Sequence, residues 1–348
     1  MSATVSIVIF GALFLLLYFI FRIPSGELRL DRQFTNTIKG IAMLLILYHH
    51  SGIYHHDIFW YFFFSGWGFC GVSLFFFISG FGLSASYDHN PLGYMQYFKR
   101  RLFVLWPTII ICMLLRGVIA PLYEKQIYLE SDPLTLLGLH EWYIVAIAVW
   151  YILFILITKL SKSRGDVIFF ISIISIILWS FLDVLFHENE MAFLWMRFPF
   201  SFAMGVIFAK YSDKIIRYVN SRIVLITILT IISIAVSIHL YEQKNLVYPM
   251  MDLVFPVLGV CMVLWIYKIG INSKFILYIG KNSLPLYLLQ VPIIKYGYLI
   301  KTWRHDIVGL IASWALVFLL AQFVVYGRSV IDYLINLIKK RTSSHELS

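Results

Sequence analysis

Eleven apolar runs, most of them long enough to cross a lipid bilayer, constrain the fold of this 348-residue chain. Crossing about 30 Å of hydrocarbon takes roughly 20 apolar residues in a helix, and fewer where flanking side chains reach the interface. Backbone polar groups must be satisfied internally in lipid, so such runs are expected to be helical. We therefore predict an all-α, polytopic transmembrane helix bundle with about 11 spans. The approximate runs are 5–23, 38–54, 67–87, 102–122, 142–158, 167–186, 193–211, 222–241, 247–267, 282–299 and 307–327.

The composition excludes a soluble globular protein. Hydrophobic residues make up 61% of the chain and charged residues only 13%, with a mean hydropathy of +0.84. The three cysteines, Cys70, Cys112 and Cys261, fall in apolar runs at unrelated spacings. This spacing favours packing residues over a disulfide framework or a thiolate metal site.

Basic residues are distributed unevenly between the two sides of the predicted bundle. Of the 28 lysines and arginines, 21 fall in or beside alternate connecting segments that include the C-terminus, and 5 fall in the opposite set. By the positive-inside rule, the C-terminus is cytoplasmic and, with eleven spans, the N-terminus is outside the cell membrane. The net charge of +10 is then explained by contact with anionic lipid and requires no nucleic-acid partner.

The stretch IKGIAMLLILYHHSG, residues 38–52, combines an apolar run with titratable groups. Eleven positions separate Lys39 from His50, about 16 Å along a helix. Lys39 can therefore stay at the cytoplasmic surface while His50 reaches past mid-depth. Because imidazole titrates near neutral pH, His50 is a candidate general base. A structural histidine bonded to a neighbouring helix is the open alternative.

Two other interpretations concern charged or polar groups in the runs. A metal site formed by His49, His50, His55 and His56 is less favoured, because adjacent histidines point to different helix faces and no HExxH spacing occurs.

Arg197 has apolar residues on both sides, as does Asp252. An ionised group in such surroundings is expected either at the interface or buried with a partner.

Four motifs in order resemble the acyltransferase 3 family of integral-membrane O-acyltransferases. They are Lys39-Gly40 with His50 eleven positions after the lysine, GVSLFFFISGFGLS at 71–84, FKRRLFVLWP at 98–107 and GKNSLPLYLLQVPI at 280–293. The resemblance implies an acyltransferase-like core of 10 helices plus one extra N-terminal helix. We accordingly divide the chain into residues 1–33 (extra helix and cytoplasmic linker), 34–330 (membrane acyltransferase domain) and 331–348 (cytoplasmic tail).

The family transfers acyl groups, most often acetyl from acetyl-CoA, to hydroxyls of envelope carbohydrates, peptidoglycan, lipids or small molecules. Its basic-residue-to-histidine motif falls on Lys39 and His50, and its second arginine motif falls on Arg100 and Arg101. This chain has lysine where the first motif usually has arginine, which keeps the charge but loses the bidentate fork. It also has Val104 and Gln290 where the family often has arginine and histidine, respectively.

Together these observations predict an O-acetyltransferase with no bound cofactor and with acetyl-CoA, or another acyl-CoA, as co-substrate. The acceptor would be a carbohydrate or lipid-linked hydroxyl. His50 would be catalytic, and Lys39, Arg100 and Arg101 would bind the donor phosphates. The residues expected to support the site are Arg197, Trp142, Tyr287 and His49. A transporter or flippase for a glycan or lipid-linked intermediate is the alternative from another class, and a structural or sensory bundle is a third.

Overall fold

A computed structural model describes residues 30–54, 67–89, 94–119, 141–188, 196–242, 248–271, 273–299 and 307–345. This part of the chain contains eleven helices and no strand, which confirms the all-α prediction for it. The helices are α1 (Arg32–Tyr54), α2 (Trp67–His89), α3 (Tyr94–Ile119), α4 (Trp142–Leu160), α5 (Arg164–Glu188), α6 (Pro199–Ser221), α7 (Ile223–Glu242), α8 (Tyr248–Ile269), α9 (Lys274–Lys281), α10 (Ser283–Leu299) and α11 (Ile307–His345).

Each predicted run from 38–54 onward overlaps one of these helices, whereas the run 5–23 lies outside the described residues. Six helices of the described part are long and apolar enough to cross a membrane: α2, α4, α5, α7, α8 and α11. The apolar parts of α3 and α10 are shorter. The first two turns of α1 carry polar residues, and so does the second half of α6. These residues lower the mean hydropathy of both helices. The count of eleven spans thus remains a prediction.

Apolar side chains cover the outer surfaces of α5 and α7. Phe169, Phe181, Val224 and Ile231 are each more than half exposed. A soluble protein rarely exposes so much contiguous apolar surface, whereas lipid tails accommodate it. The described helices therefore belong to an integral membrane protein.

The described residues form two compact units. The first runs through Phe98 and resumes from Glu141 to Lys281; the second holds 99–140 and 282–348. In the second unit, α10 packs on α11, and Arg328 of α11 donates a hydrogen bond to Thr108 of α3 at 3.4 Å. In the first unit, the largely buried α2 lies at the centre and contacts α1, α6 and α8.

Glycines allow the helices of the first unit to approach each other closely. A Cβ at Gly80 would overlap the Phe202 carbonyl oxygen of α6, and a Cβ at Gly205 would overlap the Phe77 carbonyl oxygen of α2. At Gly280 of α9, a Cβ would overlap the carbonyl oxygen of Asn36 in α1. Two motif glycines, Gly80 and Gly280, therefore have a packing role that their sequence context alone did not indicate.

We expect Gly280→Ala to lower the thermal unfolding midpoint, because the added methyl group must push α9 away from α1. Overpacking of this kind typically costs about 1–3 kcal/mol. Gly327→Ala in α11 is the matched control, since its Cβ would meet only the Ile111 side chain, at 3.9 Å. There, the higher helix propensity of alanine should leave the midpoint unchanged or raise it. Equal midpoints for the two variants in detergent would contradict the close packing of α9 on α1.

Candidate active site

Helix α1 carries both members of the predicted basic-residue-to-histidine motif. Asp31 caps its N-terminus, because its Oδ1 accepts the backbone N–H groups of Gln33 at 2.8 Å and Phe34 at 3.0 Å. The helix then continues without a break through Lys39 and His50. Lys39 is partly exposed. The two residues are thus fixed about 16 Å apart along one helix axis, as predicted.

The two adjacent histidines near the end of α1 are in contact. Their ring centroids are 5.3 Å apart at 64°, in an edge-to-face arrangement. His49 packs against α2, with its ring 5.5 Å from that of Phe69. A Cβ at Gly68 would come within 2.5 Å of the His49 ring, so glycine at this position makes room for it. The Nδ1 atom of His50 is buried.

A buried ion pair joins the segment before α6 to helix α8. Arg197 donates to Oδ1 of Asp252 from Nη2 at 2.7 Å and from Nε at 3.1 Å. The side chains are 2% and 0% exposed, so both charges are withdrawn from solvent. The sequence left two places open for these residues, the membrane interface or the interior with a partner. The structure shows burial with a partner. Removing one member of such a pair typically costs about 3–5 kcal/mol.

The same carboxylate supports an unusual backbone turn. Phe198 has a φ of 56°, in the left-handed region that bulky side chains rarely occupy. This conformation costs on the order of 1–3 kcal/mol. Oδ2 of Asp252 accepts the Phe198 backbone N–H at 3.2 Å. Asp252 therefore holds both the Arg197 guanidinium and the turn from which α6 starts.

Aromatic rings connect the ion pair to the histidines. The Cζ atom of Arg197 lies 4.4 Å from the centroid of the Phe69 ring and 4.6 Å from that of Phe198. Phe255, one turn after Asp252 on α8, also contacts Phe69, at 5.8 Å between ring centroids. Phe69 thus touches His49 and Arg197 at the same time. We call Phe69, Phe198 and Phe255 the aromatic wall.

The remaining predicted residues lie at the edge of this cluster or in the second unit. Trp142 starts α4 and packs on the Tyr143 ring, which contacts Phe76 of α2. Arg100 and Arg101 lie on α3 in the second unit, and their side chains are outside the described part of the structure. Tyr287, on α10, also belongs to the second unit. The structure therefore brings together His49, His50 and Arg197, with Lys39 on the helix of the histidines.

Gln290 of α10, which stands where the family often has histidine, is fully buried. Within the described part of the chain, neither atom of its amide group has a hydrogen-bond partner.

The histidines of the metal alternative, His55 and His56, lie outside the described residues.

Sequence reasoning did not identify the aromatic wall or pair Arg197 with Asp252. Phenylalanine is too abundant here, at 30 residues, for any single one to be singled out. A signal for the ion pair was present, because an arginine and an aspartate in apolar runs each require a partner.

The comparisons with known proteins give one match. A family model described as an acyltransferase domain matches residues 32–327. No curated protein and no solved structure matches the chain. The matched region begins with α1, extends into α11 and covers most of the chain. The four motifs, the membrane helices and this match agree, and the chain belongs to the acyltransferase 3 family of membrane acyltransferases.

Proposed function

We propose that this protein is an O-acetyltransferase that moves an acetyl group from cytoplasmic acetyl-CoA to a hydroxyl of a cell-envelope carbohydrate, polysaccharide or lipid-linked glycan. The observation that carries this proposal is the histidine pair near the C-terminal end of α1, eleven positions after Lys39 and next to a buried ion pair and aromatic rings. A base inside the membrane domain and a cation on the same helix nearer its start suit a donor whose thioester end enters the domain while its phosphates stay at the entrance.

The chemistry assigned to the site is a direct acyl transfer. The residues assigned to the donor phosphates are Lys39, Arg100 and Arg101, since lysine and arginine recognise phosphate through charge-assisted hydrogen bonds. The pantetheine arm carries the thioester towards His50. His50 removes the proton from the acceptor hydroxyl as its oxygen attacks the thioester carbonyl. The carbon–sulfur bond then breaks, and the imidazolium returns the proton to the departing thiolate.

The orientation proposed for the bundle places Lys39 at the cytoplasmic side of the cell membrane and the histidines towards the outer side. Its support is the distribution of basic residues, 21 in one set of connecting segments and 5 in the other. The donor pool and the acceptor would then meet within the membrane domain. A reporter fused after Ser348 should lie in the cytoplasm. Its reaction with reagents that stay outside the cell would contradict this orientation.

Mass spectrometry of envelope glycans tests the proposed reaction directly. We expect acetylated glycan species in cells that make the protein and their loss in cells that lack it, with restoration when the protein is supplied again. A transporter would leave the acetylation of the glycan unchanged and alter the side of the membrane on which it accumulates. Unchanged acetylation in the cells that lack the protein would therefore contradict the acetyltransferase proposal.

A further inference from the structure

We propose that Arg197 and Asp252 are positioning residues that set the orientation of the histidine pair through the Phe69 ring. This inference rests on the proposed function, because it assigns the pair a role in presenting His50 to the acceptor hydroxyl. Neither residue needs to touch the substrate for this role.

The first step of the argument is that Asp252 fixes the Arg197 guanidinium. Two N–H groups of Arg197 and the backbone N–H of Phe198 all point at one carboxylate, from distances of 2.7–3.2 Å. Because both side chains are buried, water cannot replace these bonds if one is lost. The guanidinium therefore has one well-defined place in the structure.

The second step is that the fixed guanidinium holds Phe69. A cation over an aromatic face is attracted by the ring quadrupole, and this attraction is stronger where both groups are desolvated. Arg197 lies 4.4 Å from the Phe69 centroid, and Phe255 of α8 supports the same ring at 5.8 Å. Helix α8 thus constrains Phe69 both through Asp252 and Arg197 and by direct contact.

The third step is that Phe69 and Gly68 define the place of His49, whose ring in turn packs on that of His50. The centroid distances along this chain of rings are 5.5 Å and 5.3 Å. A catalytic base must be held close to its productive geometry, and a displacement of about 1 Å can cost roughly a hundredfold in rate. A chain of contacts that begins at Asp252 therefore ends at the proposed base.

A paired replacement separates positioning from simple stabilisation. Single variants of a buried ion pair leave one charge uncompensated and can fail to fold, whereas replacing both members by apolar residues of similar volume is often tolerated. We therefore choose Arg197→Met/Asp252→Leu. Arg197→Lys provides the conservative variant, because it keeps the charge opposite Asp252.

The matched control is the ion pair at the other end of α2. Arg164 of α5 lies 3.0 Å from Asp88, and Asp88 is 19 positions from Phe69, about 28 Å along the helix. Arg164→Met/Asp88→Leu also removes an ion pair between helices, a more exposed one with side chains 14% and 40% exposed, without touching the aromatic wall. We expect this control variant to transfer acetyl groups as fast as the wild-type protein. Its histidines should also react with a modifying reagent at the wild-type rates.

The first measurement does not depend on enzyme activity. Diethyl pyrocarbonate modifies accessible imidazoles, and mass spectrometry gives the rate at each histidine of the detergent-solubilised protein. In Arg197→Met/Asp252→Leu, the rates at His49 and His50 should rise several-fold, whereas the rate at exposed His239 of α7 should stay constant. Rates at the histidine pair equal to those of wild type, in a folded double variant, would overturn the proposal.

The second measurement is transfer of acetyl groups from labelled acetyl-CoA to envelope glycans in membranes. The double variant should lose about tenfold to a hundredfold in turnover with an unchanged KM for acetyl-CoA, and Arg197→Lys, which keeps the charge but not the bidentate contact, should lose less than the double variant. Unchanged turnover in the double variant, or a loss confined to the donor KM, would also overturn the proposal. If the wild-type protein transfers no acetyl group, the proposed function fails, and the labelling rates still decide whether the ion pair positions the histidines.

Discussion

Replacing His50 by alanine is expected to lower acyl transfer by about two to four orders of magnitude, the usual contribution of a positioned general base. The imidazole would otherwise remove the proton from the acceptor hydroxyl as the thioester carbonyl is attacked. The measurement is the turnover number of purified protein whose fold has been checked by thermal unfolding. Because the donor phosphates are assigned to other residues, the affinity for acetyl-CoA should change little.

His49→Ala is the matched control for this prediction, since it removes the same side chain one position earlier. Adjacent helical residues lie about 100° apart, so the two side chains point in different directions. His49 packs against Gly68 and Phe69, and its loss should act on the orientation of His50 and on stability. The loss of turnover should therefore be much smaller than for His50→Ala. Near-normal turnover in folded His50→Ala would show that the base has been assigned to the wrong residue.

Replacing Lys39 or Arg101 by alanine is expected to weaken acetyl-CoA binding by roughly tenfold to a hundredfold. A charge-assisted hydrogen bond contributes about 1.5–3 kcal/mol, and one such contact to a phosphate would be lost. Lys39→Arg should preserve or improve binding, because a guanidinium offers the bidentate fork that lysine lacks. High salt should reduce these differences by screening contacts near the surface.

Equilibrium binding of acetyl-CoA to the detergent-solubilised protein at two ionic strengths measures these effects. Lys162→Ala is the control, since Lys162 is an exposed lysine between α4 and α5 on the same predicted side of the membrane. The Lys162→Ala variant should bind acetyl-CoA with the affinity of the wild-type protein. If neither alanine variant nor salt changes the affinity, the phosphates bind elsewhere, and a coenzyme A thioester would no longer be supported as the donor.

The helices were predictable because their cause is local. An apolar run in lipid must satisfy its own backbone hydrogen bonds, and a helix does so within one segment. The runs from residue 38 onward accordingly match α1–α8, α10 and α11. The same locality placed Lys39 and His50 on one helix, since eleven helical residues span a fixed distance.

Contacts between helices were not predictable in this way. Fifty-five positions separate Arg197 from Asp252. Neither apolar run contains a pattern that identifies the other residue as the ion-pair partner. The spacing of the histidines likewise did not show that His49 packs on Phe69. The motif glycines looked like parts of a functional signature, yet Gly80 and Gly280 serve close packing against Phe202 and Asn36.

By itself, the sequence determined a membrane bundle of the acyltransferase 3 family with a lysine and a histidine pair on one helix. The tertiary structure alone decided what surrounds that pair: a buried ion pair, a left-handed turn at Phe198 and the aromatic wall. The physical reason is that helix formation in lipid follows from the residues of each run. The partner of a buried charge depends instead on which helices pack together, and close packing between helices is set by side-chain shape and small residues far apart in the chain.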